Sequence, residues 1–235
     1  VPLAQLVFGA LTDFLTEATE WIGSRIVAIQ TERGADGIPF LLSLCGGGTP
    51  RPVYEALAVY PGIDWARVVI TFGDERCVGP EHADSNYRMA KAALLDPAGI
   101  PEQNVHRITG ELEPGEAARV YDSLLRTLAQ PRGEETLSHD LLLLGMGDDG
   151  HTASLFPGTL ALHEEQRWAM ENYVEKFGGY RITITYPVIN AAREVAFLVT
   201  GEAKRPVVER VQAGAGNDPA SRVAPASGKL TWLLG

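Results

Sequence analysis

The sequence predicts an α/β fold, a largely parallel sheet with helices on both faces. Three observations carry that reading. Short apolar runs of the buried-strand kind recur at PFLLSL (39–44), RVVITF (67–72), DLLLL (140–144) and EVAFLVT (194–200). Segments of helical periodicity separate them, the alternation that a parallel sheet requires. Glycines, acids and bases gather directly after the strands, where ligands sit in such sheets.

The first element is a long amphipathic helix. Leu11, Phe14, Leu15, Ala18, Trp21, Ile22, Arg25, Ile26 and Ile29 follow i, i+3, i+4, i+7 spacing. The strand at 39–44 leads through CGGGTP into a helical PVYEAL, and the strand at 67–72 opens into GDERCVGPEHADSNY. A helix then runs through Met89 and Leu95. Ala117, Val120, Tyr121, Leu124, Leu125 and Leu128 mark another before the strand at 140–144. RITIT (181–185) and EVAFLVT are two further strands, the second leading into a helical GEAKRPVVERV. LTWLL near the C-terminus is the last strand, and the Gly/Ala/Asn stretch at 213–220 is a loop. No repeat, low-complexity tract or long linker divides the chain, so one domain over 1–235 is expected.

Composition narrows the function classes. With 235 residues, 45% hydrophobic and 21% charged, the chain suits a soluble globular core. A net charge of −10 argues against a nucleic-acid or anionic-membrane surface. An anionic small substrate then needs a few bases converging locally. Cys45 and Cys77 form no disulfide framework, which points to a reducing, cytoplasmic setting. With no C-x-x-C, no H-E-x-x-H and scattered histidines, no metal or cofactor is expected. VPLAQLVFGAL is apolar but short and runs into Asp13 without a basic flank, so it reads as fold, not signal peptide or membrane span. The chain begins with Val, and residues before Val1 are expected.

Segments 45–50, 73–77, 145–152 and 201–204 each follow a strand and can meet in one crevice. In the first, three glycines let backbone N–H groups approach an anion at a helix start, with Thr49 as N-cap and Pro50 at the first helical position. Taken alone, a tight packing turn accounts for CGGGTP equally well. In GDER, Glu75 reads as part of a surface charge cluster, while Asp74 and Arg76 alternate with it and project together. There a carboxylate can orient a hydroxyl or proton donor, and a guanidinium can bind an anion.

GMGDDGHT (145–152) begins with G-x-G-x-x-G, yet Pro157-Gly158 ends any following helix within two turns. Glu171 can imitate the acidic residue of a dinucleotide site, but no βαβ unit is there to position it. The dinucleotide reading fails. His151 is then the sharpest candidate for proton transfer, with Asp149 two residues earlier as its orienting group. Ser154 lies outside a G-x-S-x-G elbow. A helix beginning near Thr200 or Gly201 places Lys204 and Arg205 at its positive end, a conflict that a bound anion relieves, although Pro206 points to a later start.

These segments together resemble the 6-phosphogluconolactonase family. The match runs in order through SLCGGGTP, FGDERCVGPEHADSNY, GMGDDGHTASLFPGT, RITITYPVINAA, FLVTGEAKR and GKLTWLL. The resemblance implies a Rossmann-like α/β fold and hydrolysis of the δ-lactone of 6-phosphogluconate in the oxidative pentose phosphate pathway, without a required metal. It implies His151 as general base, supported by Asp149 and Asp74. The glucosamine-6-phosphate isomerase/deaminases share the Gly-Thr-Pro turn and the D-G-H core. Resemblance to both families implies that Gly47, Gly48, Thr49, Arg181 and Lys204 hold a substrate phosphate, with Arg76 a candidate for the oxyanion. The deaminases carry a Glu shortly after the His, ahead of Pro-Gly. Here Phe156 precedes Pro157-Gly158, which favours the lactonase over the deaminase reading. Retention of Asp74, Asp149 and His151 together argues against a non-catalytic sugar-phosphate sensor. Cys45 and Gly48 stand where Ser is common in the family's phosphate turn, so two hydroxyl donors are lost while backbone N–H groups remain. The expected partner is a small sugar-phosphate lactone, with neither nucleic acid nor membrane.

Overall fold

The computed structural model describes residues 3–7, 11–35, 37–214, 216–226 and 228–235, with side chains from Asp13 onward. Six strands form the main sheet: β1 (Leu3–Val7), β2 (Phe40–Leu44), β3 (Val68–Phe72), β5 (Leu141–Leu144), β8 (Glu194–Val199) and β9 (Lys229–Leu234). Their order is β1-β9-β8-β5-β2-β3, and every pairing is parallel. All residues of β2 and β5 are buried. A strand covered on both faces has no polar side to alternate, which is why these runs are Leu and Phe with Ser43 the one polar residue.

Helices α1 (Leu11–Arg33), α2 (Pro50–Leu57), α4 (Pro114–Ala129) and α6 (Arg205–Gln212) flank the sheets. Helix α1 packs on α2, β2 and β9 and buries Phe14, Ala18, Trp21, Ile22 and Ile26. Each such large side chain contributes about 1.5–3 kcal/mol on burial. Arg25 sits on the same helix but pairs with Glu194 at 3.1 Å and lies over the Trp21 ring. The Leu11 side chain and residues 1, 2 and 8–10, part of the N-terminal segment expected to belong to the fold, lie outside what is described. Residues 3–7 of that segment form the edge strand β1. Helix α3 (Asn86–Ala90) continues as a π-turn over Lys91–Leu95, and α5 (Tyr186–Ala191) follows the second sheet. Among the described residues, no helix is long and apolar enough to cross a membrane.

The RITIT strand does not join the parallel sheet. It forms β7 (Gly179–Ile184), pairing antiparallel with β4 (Asp74–Arg76) and β6 (Ala169–Val174) in a separate three-stranded sheet. Gly73 makes the transfer, its N–H donating to Leu44 O and its carbonyl accepting from Ile184 N. Helix α4 lies against β6 and β7, and its Tyr121 hydroxyl bonds both backbone groups of Phe72. From β2 the chain steps outward to β3; from β5 it steps the other way to β8 and β9. The sheet therefore reverses its winding between β2 and β5, and a crevice opens beyond their C-terminal ends.

Candidate active site

All four post-strand segments reach that crevice, a cavity of about 490 Å³. Gly47, Gly48 and Thr49 line it from the β2–α2 turn, Asp74 and Arg76 from β4, His151 from the β5 loop. Arg181 of β7 and Lys204 complete its walls. Asp149 borders instead a neighbouring recess of about 890 Å³, with Phe156 shared by both.

The glycines of the β5 loop answer to the histidine. A Cβ on Gly147 would lie 2.0 Å from the His151 ring, so glycine leaves the space that the imidazole occupies. Phe156 stacks on the ring at 4.0 Å with 25° between planes. Asp149 Oδ1 meets His151 Nδ1 at 2.5 Å and also accepts from the His151 backbone N–H. Burial works against ionisation of Asp149, but hydrogen bonds from His151 and Lys176 outweigh it and hold its pKa down to about 2. An ionised Asp149 makes Nδ1 the protonated nitrogen and leaves the Nε2 lone pair to take a proton.

Strand alternation sorts the GDER segment. Asp74 and Arg76 face the cavity, and Glu75 points the other way. The expectation of a surface Glu75 is corrected: it is 2% exposed. Its carboxylate accepts from the N–H groups of Arg76, Asn86 and Tyr87 and from Ser85 Oγ, tying the start of α3 to β4. Burial raises its pKa despite those bonds. A charge cluster in sequence resembles a solvated one, and only the return of α3 ten residues later covers it.

Asp74 shares the cavity with His151, but its carboxylate bonds Asn86 Nδ2 at 3.1 Å and Ser154 Oγ at 2.6 Å. Its geometry is that of a brace between α3, β4 and the loop after β5. Asn86 and Ser154 were absent from the sequence-based set. The failed elbow test was the wrong signal for Ser154, whose hydroxyl is a donor here.

Arg76 and Arg181 stand directly opposite each other across the β4–β7 ladder. Like charges so placed repel. Burial first, then the Arg76 charge, lowers the Arg181 pKa. Arg76 donates to Asp84 O at 2.7 Å, while its buried Nε has no hydrogen-bond partner. Two guanidiniums on one wall with an unmet donor suit an anion.

Pro50 opens α2 as expected, but Thr49 does not cap it with its side chain. Its hydroxyl instead bonds the Thr200 hydroxyl at 2.8 Å and joins the ends of β2 and β8. Gly47 takes φ +108°, a conformation that requires glycine, and nothing stands within 4 Å of a Cβ placed on Gly48. Beyond Thr200, a 3₁₀ turn at Glu202–Lys204 delays α6 to Arg205. Lys204 sits at its N-cap, anchored by a 2.5 Å bond from Nζ to Met146 O. Cys45 is buried beside the Tyr54 hydroxyl, and burial pushes its thiol up to about 12, which leaves it un-ionised at neutral pH.

Comparison with known proteins fits this geometry. Residues 11–232 match the family described as glucosamine-6-phosphate isomerases/6-phosphogluconolactonase. A 6-phosphogluconolactonase of Nostoc is 44% identical, over 83% of this chain and 81% of the relative. The Homo sapiens 6-phosphogluconolactonase is 40% identical over 92% and 88%. The crystal structure of a 6-phosphogluconolactonase from Thermotoga maritima superposes with a TM-score of 0.85 at 25% identity, covering 100% of both chains. The chain therefore belongs to the glucosamine-6-phosphate isomerase/6-phosphogluconolactonase family.

Proposed function

We propose that this protein hydrolyses 6-phospho-D-glucono-1,5-lactone to 6-phosphogluconate, the lactone-opening step of the oxidative pentose phosphate pathway. The observation that carries this reading is His151, paired with Asp149, lining a cavity with two opposed arginines. His151 Nε2 removes a proton from water as its oxygen attacks the lactone carbonyl. Asp149 stabilises the imidazolium that results. The guanidinium of Arg76 meets the developing oxyanion, a kind of contact typically worth 10²–10³ in rate where it has been removed. The ring oxygen then leaves with the proton from His151, which restores the base. No metal or cofactor enters this scheme.

Gly47, Gly48, Thr49, Arg181 and Lys204 hold the phosphate at the other end of the substrate. Binding energy from that remote group fixes the carbonyl against the water. Phe156, stacked on His151, occupies the position where the deaminases carry their acid, so the pair works on water instead of on an amine. We read the chain as one cytoplasmic domain; its two free thiols support a reducing setting.

The test compares the phosphorylated lactone with glucono-δ-lactone, in EDTA and corrected for spontaneous hydrolysis. The reading predicts fast hydrolysis of the former and no ammonia release from glucosamine 6-phosphate. In Arg181→Ala and Lys204→Ala, kcat/KM for the phosphorylated lactone should fall roughly 10- to 100-fold, as loss of a charge-assisted bond does. The phosphate-free substrate should change little. Equal losses on both substrates would place the phosphate elsewhere.

A further inference from the structure

Asp149 is gripped from two sides. Its Oδ1 serves the His151 ring and backbone, and its Oδ2 accepts from Lys176 Nζ at 3.1 Å. Lys176 belongs to another element, the turn Glu175–Phe177 that joins β6 to β7 and closes at the left-handed Gly178. The next residue, Phe177, meets Phe156 edge-on at 5.6 Å, and Phe156 is the ring stacked on His151. Arg181 stands 5.0 Å from the centre of the Phe177 ring. Two consecutive residues of one turn therefore reach both partners of the imidazole.

We propose that Lys176 is a positioning residue: from the β6–β7 turn its ammonium pins the second oxygen of Asp149 and so holds the His151 tautomer that leaves Nε2 free. A carboxylate bonded at one oxygen alone can rotate away from the ring. One bonded at both has a single orientation. Asp149 lies next to Gly150, at φ +74°, in a loop without regular structure, so that orientation depends on contacts from outside the loop. This inference rests on the lactonase reading for its kinetic consequence and on geometry alone for its effect on the ring.

Lys176→Met and Lys176→Arg separate the roles, read by kinetics from pH 5 to 9 and by nitrogen NMR of the His151 ring in the free protein. Lys176→Met should lower kcat about tenfold with KM changed less than about threefold, a loss confined to orientation of the base. Nε2-protonated ring should appear in its nitrogen spectrum. Arginine at this position should restore both. An unchanged tautomer in Lys176→Met would overturn the inference. Failure of the lactonase reading would show separately, as a wild-type protein without hydrolysis.

Discussion

Gly147 and His151 show that a glycine in such a loop can make room for a side chain. The imidazole lies where a Cβ would be, 2.0 Å from the ring carbon Cε1 and 2.1 Å from Nδ1. An alanine at 147 must therefore push the ring off Asp149. Gly147→Ala should leave the fold intact and cost roughly 10²-fold in kcat, the lower end of a general-base contribution. Activity within twofold of wild type would mean that the ring has another resting place. At this scale the reading from sequence brought out residues that line one cavity or the recess beside it, but not their supports. His151, Asp149 and Arg76 stand out because their residue types are costly to place in a post-strand loop without reason. Asn86, Ser154 and Lys176 do not, because each acts through a partner 12, 80 or 27 residues away.

β4 is three residues long and made of Asp, Glu and Arg, yet it aims the site. One face sends Asp74 and Arg76 into the cavity; the other anchors α3 through Glu75. Glu75→Ala would leave three backbone N–H groups of Arg76, Asn86 and Tyr87 without their acceptor, and such losses together cost about 2–5 kcal/mol. Urea unfolding should show that drop in midpoint, with the site weakened through Asn86 and Asp74. A variant as stable as wild type would return Glu75 to the surface role first assigned to it. The long or strongly apolar elements were readable, since α1 carries apolar residues at helical spacing, β5 is apolar throughout and β2 and β8 carry one polar residue each. β4 and β6 were not, because AMENYV alternates weakly and a charged tripeptide has no strand signature at all. Periodicity also does not say which sheet a strand joins, so RITIT was recognised as a strand while the antiparallel sheet it builds was not.

Over the whole molecule, the reversal between β2 and β5 gathers four distant loops, and that convergence followed from strand order alone. Stability carries its own pH signature. His139 is fully buried with Nε2 on Thr71 Oγ1, and burial lowers its pKa to about 3. The unfolded chain binds that proton near pH 6.5, the native chain only near 3. Its contribution is therefore whole above pH 6.5 and is lost as the pH falls toward 3. Between pH 7 and 5 the wild type should lose about 1–2 kcal/mol more than His139→Gln, as urea midpoints would report. Equal losses in the two proteins would mean that His139 takes up its proton in the native state.

The central claim is that His151 activates water on a phosphorylated lactone. The most direct measurement is the kcat of purified His151→Ala on 6-phospho-D-glucono-1,5-lactone, corrected for spontaneous opening and accompanied by circular dichroism. The account predicts a native spectrum and a loss of at least about 10²-fold, the general-base contribution. A folded variant that opens the lactone at close to the wild-type rate would contradict it.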